Sequence, residues 1–390
     1  MMRSVFSGGL YDPAYEHDAC GFGFVANIDG RKTHELVRRG IQVLENLVHR
    51  GACGCDPDTG DGAGLLFQTP HGFFLEIAEE LGFELPESGV YAAGMIFLPQ
   101  AEEARKACIE IFEGVIREED QEVLGWRDVP RNPDALGWLA REREPAIHQI
   151  FVRREEGLDT DGFERKLLLI RKQVERAVAA SNLPDMDEFY VCSLSARTIV
   201  YKGLMLAHQI DEYFLDLSDD RFETAIALIH QRYSTNTLPS WPLAQPFRFS
   251  CHNGEINTVR GNINMMRSRE VHLSSRLFGT EAHKLAPILT PGVSDSAMFD
   301  EAYELLVRGG RDLTHAIAMM IPEPWSGHES MPDNLKAFYE YHASMMEPWD
   351  GPAAMAFSDG IRVGGVLDRN GLRPSRYWVT DDNFCVLSSE

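Results

Sequence analysis

The stretch His17-Asp18-Ala19-Cys20-Gly21-Phe22-Gly23-Phe24-Val25-Ala26-Asn27 places a lone cysteine where a polar leader gives way to alternating small and aromatic residues. A period of two reads as a β-strand, here over residues 20–28, and its glycines say that one face is closely approached by another backbone. A cysteine at such a point is either a small buried hydrophobe or a thiol set deliberately at the mouth of a sheet. The rest of the chain has to decide between these.

The chain has 390 residues, 44% of them hydrophobic and 10% aromatic, enough to bury a sizeable core. Its formal net charge of −23 argues against a nucleic-acid or anionic-membrane surface, because phosphate binding needs Lys and Arg in excess on some face. No apolar run approaches the roughly 20 residues of a membrane span. The leader, residues 1–19, lacks the apolar segment of a secretory signal. The seven cysteines are odd in number and widely spread, which fits thiols in a reducing cytoplasm better than a disulfide framework. Cys53-Gly54-Cys55 is the only close pair and lacks a second pair at zinc spacing, so no metal site is expected.

Hydrophobic spacing organises the remainder. Leu36, Val37, Ile41, Leu44 and Val48 recur at helical intervals, giving a helix over 33–49 with Gly51 suited to its C-cap. A Gly/Asp-rich loop, GACGCDPDTGDGAG, and an apolar strand at Leu65-Leu66-Phe67 follow. From about 90 to 195 the order is strand, helix, strand, strand, helix, strand, the split pattern of ferredoxin-like units. This reads as a subdomain inserted between two halves of one catalytic domain. Further strands are expected in ARTIVYKG and TAIALIHQRYST, helices near 257–270 and 294–309, and strands in GPAAMAFSDG, IRVGGVLD, SRYWVTD and FCVLSSE. The chain stops in an apolar strand run with no polar tail, which reads as a cut within a longer protein.

Four later segments carry possible chemistry. HQRYSTNT (230–237) puts Arg232 after an apolar strand, where its fork can hold a carboxylate or simply bond loop carbonyls. CHNGEINTVRGN (251–262) offers the Asn253 amide and the Gly254 N–H as convergent oxyanion donors, or else a hairpin turn. SDSAMFDEAYELL places Ser294 or Asp295 at a helix start, as an N-cap or as a carboxylate for an ammonium group. LDRNGLRPSRY is either a surface turn or the wall of a pocket. Together with Cys20 these supply a nucleophile, oxyanion donors, and partners for both ends of an amino acid. The base is open: His49, His230 or His252, or the α-amine of Cys20 itself if the leader is removed. That amine would titrate near ~7.7–8.0, close to working pH.

At this point the chain resembles the class II (N-terminal nucleophile) glutamine amidotransferases, and most closely the amino-terminal domains of the glutamate synthase family. The matching stretches are YEHDACGFGFVA, LENLVHRGACGCDPDTGDGAG, FYVCSLSARTIVYKG, HQRYSTNTLPSWPLAQPFRFSCHNGEINTVRGN, SDSAMFDEAYELL, WDGPAAMAFSDG and LDRNGLRPSRY, in order along nearly the whole chain. The resemblance implies an α+β fold, a four-layer αββα sandwich of two packed sheets covered by helices. It implies Cys20 as nucleophile, Asn253 and Gly254 as oxyanion hole, Arg232 on the glutamine carboxylate and Asp295 on its ammonium, with Arg50 shaping the site. Residues 1–19 would be a propeptide cleaved after Ala19, and 20–390 the amidotransferase domain. L-glutamine would be the substrate and no cofactor would bind this chain. FMN, an iron–sulfur cluster, a flavin-binding synthase domain and an electron-donating small subunit or ferredoxin would belong to the complete enzyme. The competing readings are another class II amidotransferase or a glutamine-binding module without catalysis.

Overall fold

The computed structural model describes residues 21–51, 53, 55–181, 183–185, 188–232 and 240–390. The leader and Cys20 lie outside the described residues. In chain order the strands are β1 (Gly21–Asn27), β2 (Ala63–Gln68), β3 (Tyr91–Leu98), β4 (Glu122–Asp128), β5 (Ala146–Arg153), β6 (Tyr190–Ser195) and β7 (Thr198–Gly203). They continue as β8 (Ile226–Gln231), β9 (Ser250–Gly254), β10 (Ala353–Ser358), β11 (Val363–Leu367), β12 (Arg376–Val379) and β13 (Phe384–Ser388). The helices are α1 (His34–Asn46), α2 (His71–Leu81), α3 (Glu102–Glu118), α4 (Trp138–Glu142) and α5 (Thr160–Ala180). After them come α6 (Ile210–Tyr213), α7 (Val259–Glu270), α8 (Asp295–Arg308), α9 (Leu313–Met320) and α10 (Asp333–Ala343). Mixed helix and antiparallel sheet make the fold α+β. Every expected strand is present, and α2, α4, α6, α9 and α10 go beyond the sequence expectations.

The first sheet has the order β12-β13-β1-β8-β2-β7. Its register explains the glycines of the opening stretch, since a Cβ on Gly23 would lie 2.3 Å from the Leu387 carbonyl oxygen on β13. The second sheet, β11-β10-β9, faces the first. Along β10 the side chains alternate as a two-sided strand requires. Ala354 and Ala356 point into the core shared with β1, β2 and β8, whereas Ala353, Met355 and Phe357 pack with Phe299, Tyr303, Ile317 and Met320 of α8 and α9. On the far side of the first sheet, α1 buries Leu36, Val37, Ile41 and Leu44. Thr33 caps it, its hydroxyl accepting the Leu36 N–H at 3.2 Å.

One detail differs from expectation. The first helix ends at Asn46, a 3-10 turn covers Val48–Arg50, and Gly51 has φ −71°, so Gly51 is not a left-handed C-cap. Its lack of a side chain serves packing instead, because a Cβ there would lie 2.3 Å from Gln231 Nε2.

Residues 91–195 form a third, antiparallel sheet of order β4-β5-β3-β6. Its central strands β3 and β5 are buried on both faces. Ala92, Ile96, Leu98, Ile150 and Val152 pack under Phe112, Ile116, Phe163, Leu167 and Val174 of α3 and α5. Tyr91, Ala93, Met95, Phe97, Ile147 and Phe151 point the other way, into the core of the first sheet. The unbroken apolar run YAAGMIFL follows from that double burial.

Candidate functional site

The chemistry-bearing motifs converge where β1 begins and β8 and β9 end. Gly21, the residue after Cys20, pairs with Gln231, and Gln231 pairs on its other side with Ala63. Arg232 follows Gln231 in a left-handed conformation, φ +84°, and its N–H donates to the Gly62 carbonyl at 2.8 Å. That turn takes Arg232 off the sheet at the level of Gly21. Gly51 presses on the Gln231 side chain, which brings the His49-Arg50-Gly51 motif to the same edge. Arg50 pairs with Glu390, as does His49 at 2.5 Å.

The second sheet meets this edge through its own carboxyl-terminal end. His230 Nε2 donates to the His252 carbonyl at 3.0 Å, tying the last turn of β8 to that of β9. Asn253 is buried one residue further on, opposite Ala354. Asn253-Gly254 is therefore the end of a paired strand and not a hairpin turn. Gly254 has φ +137°, and a Cβ there would lie 1.9 Å from the Pro352 carbonyl oxygen. Only glycine fits.

Of the two candidates for the start of α8, one is its cap and the other its first residue. Ser294 is the N-cap of α8, its hydroxyl accepting the Ala297 N–H at 3.2 Å. Asp295 is the first helical residue, and its Oδ2 accepts the Ile256 N–H at 2.8 Å, two residues past Gly254. Its side chain is thus joined to the segment that follows the Asn253-Gly254 strand end.

Charge within the site is controlled by burial. Desolvation pushes the His230 imidazole down to about 3, so it is neutral at physiological pH. Burial lowers His252 as well, with Asp295 pulling it back up. Of the three histidines considered as bases, His230 and His252 are buried, and His49 is exposed with its Nε2 2.5 Å from the Glu390 carboxylate.

Three residues escaped the sequence reading. Asp61 lies beside Arg232: burial raises its carboxyl and the Arg232 charge draws it back down. Gln231 sits between Gly21, Gly51 and Ala63, its Oε1 buried without a partner among the described residues. Asp368 organises the LDRNGLRPSRY turn by accepting the N–H groups of Ala353, Asn370, Leu372 and Arg373 at 2.9–3.1 Å. Through Ala353, which pairs with Gly254, this turn is anchored beside the end of β9, while Leu372 and Tyr377 on it are exposed. Burial raises the Asp368 carboxyl, and its backbone donors outweigh that, leaving it below the ordinary value. Its stabilisation is present above the usual carboxylate pKa and disappears as pH falls through the lowered one. Asp368→Ala is expected to cost ~1–3 kcal/mol by leaving buried N–H groups unpaired. Thermal unfolding at pH 7 and pH 3 measures this, with the wild-type advantage shrinking at the lower pH.

Among the described residues no three His, Cys, Asp or Glu side chains group as a metal site, and Cys53 and Cys55 are exposed. Among the described residues the donors therefore do not fit an iron–sulfur cluster. No described helix is long and apolar enough to cross a membrane.

The family model of class-II glutamine amidotransferases matches residues 20–390, beginning at Cys20. The chain is 48% identical over 383 residues to the glutamate synthase (NADPH) large chain of Bacillus subtilis, covering 98% of this chain and 25% of that one. It is 45% identical over 388 residues to the corresponding large chain of Azospirillum brasilense, covering 99% of this chain and 25% of the relative. It is 45% identical over 393 residues to the glutamate synthase (NADH) of Saccharomyces cerevisiae, covering 98% of this chain and 18% of the relative. The chain thus spans about a quarter or less of the length of these curated relatives. With a match running from the lone cysteine through every segment of the site, the chain belongs to the class II glutamine amidotransferases.

Proposed function

We propose that this chain is the glutamine-hydrolysing domain of a glutamate synthase. The observation that carries the reading is the start of the family match at Cys20, directly before the strand end where Arg232, Asn253 and Asp295 converge. In this reading residues 1–19 are a propeptide and cleavage after Ala19 frees the α-amine of Cys20. The amine accepts the thiol proton, and the thiolate attacks the γ-amide carbon of L-glutamine. The Asn253 amide and the Gly254 N–H hold the tetrahedral oxyanion. The proton passes to the leaving nitrogen, ammonia departs and a γ-glutamyl thioester remains. Water hydrolyses the thioester, releasing glutamate and returning the proton to the thiol.

Substrate recognition falls to two charges. Arg232 takes the α-carboxylate, Asp295 takes the α-ammonium, and Arg50 shapes the wall beside the nucleophile. Arg232→Lys is expected to raise KM for glutamine about tenfold to a hundredfold with kcat less affected, as a point charge replaces a two-pronged donor. Steady-state glutaminase kinetics measure it.

The architecture is proposed as the four-layer αββα sandwich of N-terminal nucleophile hydrolases. In it α1 and α8–α9 are the outer layers, and residues 90–195 are an inserted ferredoxin-like subdomain in domain 20–390. In the complete enzyme the ammonia would travel to a synthase domain carrying FMN and an iron–sulfur cluster and aminate 2-oxoglutarate reductively. Electrons would come from a small subunit or ferredoxin, in the cytoplasm. The test is release of glutamate and ammonia from L-glutamine by the processed chain; no release from a chain beginning at Cys20 contradicts the reading.

A further inference from the structure

The Tyr201-Lys202-Gly203 end of β7 takes no part in the chemistry above, yet it buries a cation. Lys202 is 1% exposed. Its Nζ donates to the Pro242 carbonyl at 2.8 Å and stands over the rings of Tyr190 and Phe247, 4.6 and 4.8 Å from their centroids. Among the described residues no carboxylate pairs with it. A buried ammonium is costly without a counter-ion, and two aromatic faces plus one carbonyl offset that only in part. Burial pushes Lys202 down to about 7; Cys192 on β6 and Asp300 on α8 pull it up, and Arg248 pushes it further down.

Pro242 and Phe247, which Lys202 holds, belong to one stretch, residues 240–247. Gly203 seats the same stretch, since a Cβ on it would lie 2.3 Å from the Trp241 ring. That stretch lies between Arg232 and β9. At its far end the Gln245 side-chain oxygen accepts the His252 N–H at 2.9 Å, and the Phe247 N–H donates to the Ser250 carbonyl at 2.9 Å. His252 immediately precedes Asn253.

We infer that Lys202 is a positioning residue for the oxyanion strand, fixing residues 240–247 through Pro242 and Phe247 so that Gln245 sets His252 and Asn253 in register. Only its kinetic consequence rests on the glutaminase reading. The ammonium form makes the contacts with the Tyr190 and Phe247 rings and the neutral amine keeps only a donor to Pro242, so the hold is full below the Lys202 pKa and weakens as pH rises through it.

The test compares wild type with Lys202→Met, which keeps the volume without charge or donor, and Gln245→Met, which removes the acceptor for His252. Amide exchange by mass spectrometry over residues 245–254 and glutamine kinetics from pH 6 to pH 9 are read. Both variants are expected to exchange the His252 amide about tenfold faster. Both should lower kcat about tenfold with little change in KM, and Lys202→Met should lose the falling alkaline limb of the wild-type profile. A core residue that merely supported the fold would lower thermal stability and leave that limb in place. Wild-type exchange and an unchanged pH profile in Lys202→Met overturn the inference, as does unchanged exchange in Gln245→Met. If wild type itself fails to hydrolyse glutamine, the glutaminase reading falls, while the exchange comparison still decides the role of Lys202.

Discussion

Cys20→Ala is expected to abolish glutamine hydrolysis, by about 10⁴-fold or more, because a nucleophile acting with its own amine and oxyanion hole has no substitute in the site. Binding should survive. In the proposed reading Arg232 and Asp295 hold the ends of the substrate away from the thiol, so glutamine should still protect Cys20→Ala against thermal unfolding. That separation discriminates the mechanism from a glutamine-binding module, which would bind glutamine in both forms and hydrolyse it in neither. Hydrolysis measured by glutamate release, beside a thermal shift with L-glutamine, reads both. A variant with wild-type turnover sinks the assignment of Cys20.

Gly254→Ala is the second large effect, on the order of 10³-fold in kcat. The methyl group would sit 1.9 Å from the Pro352 carbonyl oxygen at φ +137°, a backbone region open essentially to glycine. Relief requires β9 and β10 to part at Ala353, and that displaces Asn253 and the Asp368 turn together. A fall in thermal stability of ~1–3 kcal/mol should accompany the lost rate. Gly261→Ala is the control, since a Cβ there meets no atom within 4 Å and lies inside α7, where alanine is the better helix former. It should leave turnover unchanged and stability equal or slightly higher.

Local pattern and long-range contact were unequally legible. The alternation in Gly21–Asn27, the helical spacing of Leu36, Val37, Ile41 and Leu44, and the strand–helix order of residues 91–195 each reflect one element meeting one environment, and all appear as read. Asn253-Gly254 was ambiguous because a hairpin and a glycine-only strand end demand the same dipeptide; pairing with Ala353 and Ala354 resolves it. Gly51 follows a helix as a C-cap would, but the contact that requires it lies on Gln231, 180 residues away in sequence. Asp61, Gln231 and Asp368 were missed for the same reason. Their partners are remote backbone groups and side chains that no spacing rule connects. Helix α2 is a different case. Phe73, Phe74, Ile77 and Ala78 do carry a helical period, but Gly72 and the absence of a side-chain cap weaken its start.

The central claim is that Cys20 becomes the amino terminus and acts as the nucleophile. Intact-mass measurement after incubation with 6-diazo-5-oxo-L-norleucine, a glutamine analogue that alkylates such thiols, tests it most directly. The account predicts loss of residues 1–19 and a single adduct, mapped by fragmentation to Cys20. A chain that turns over glutamine with residues 1–19 still attached, or that carries its adduct on another cysteine, would contradict it.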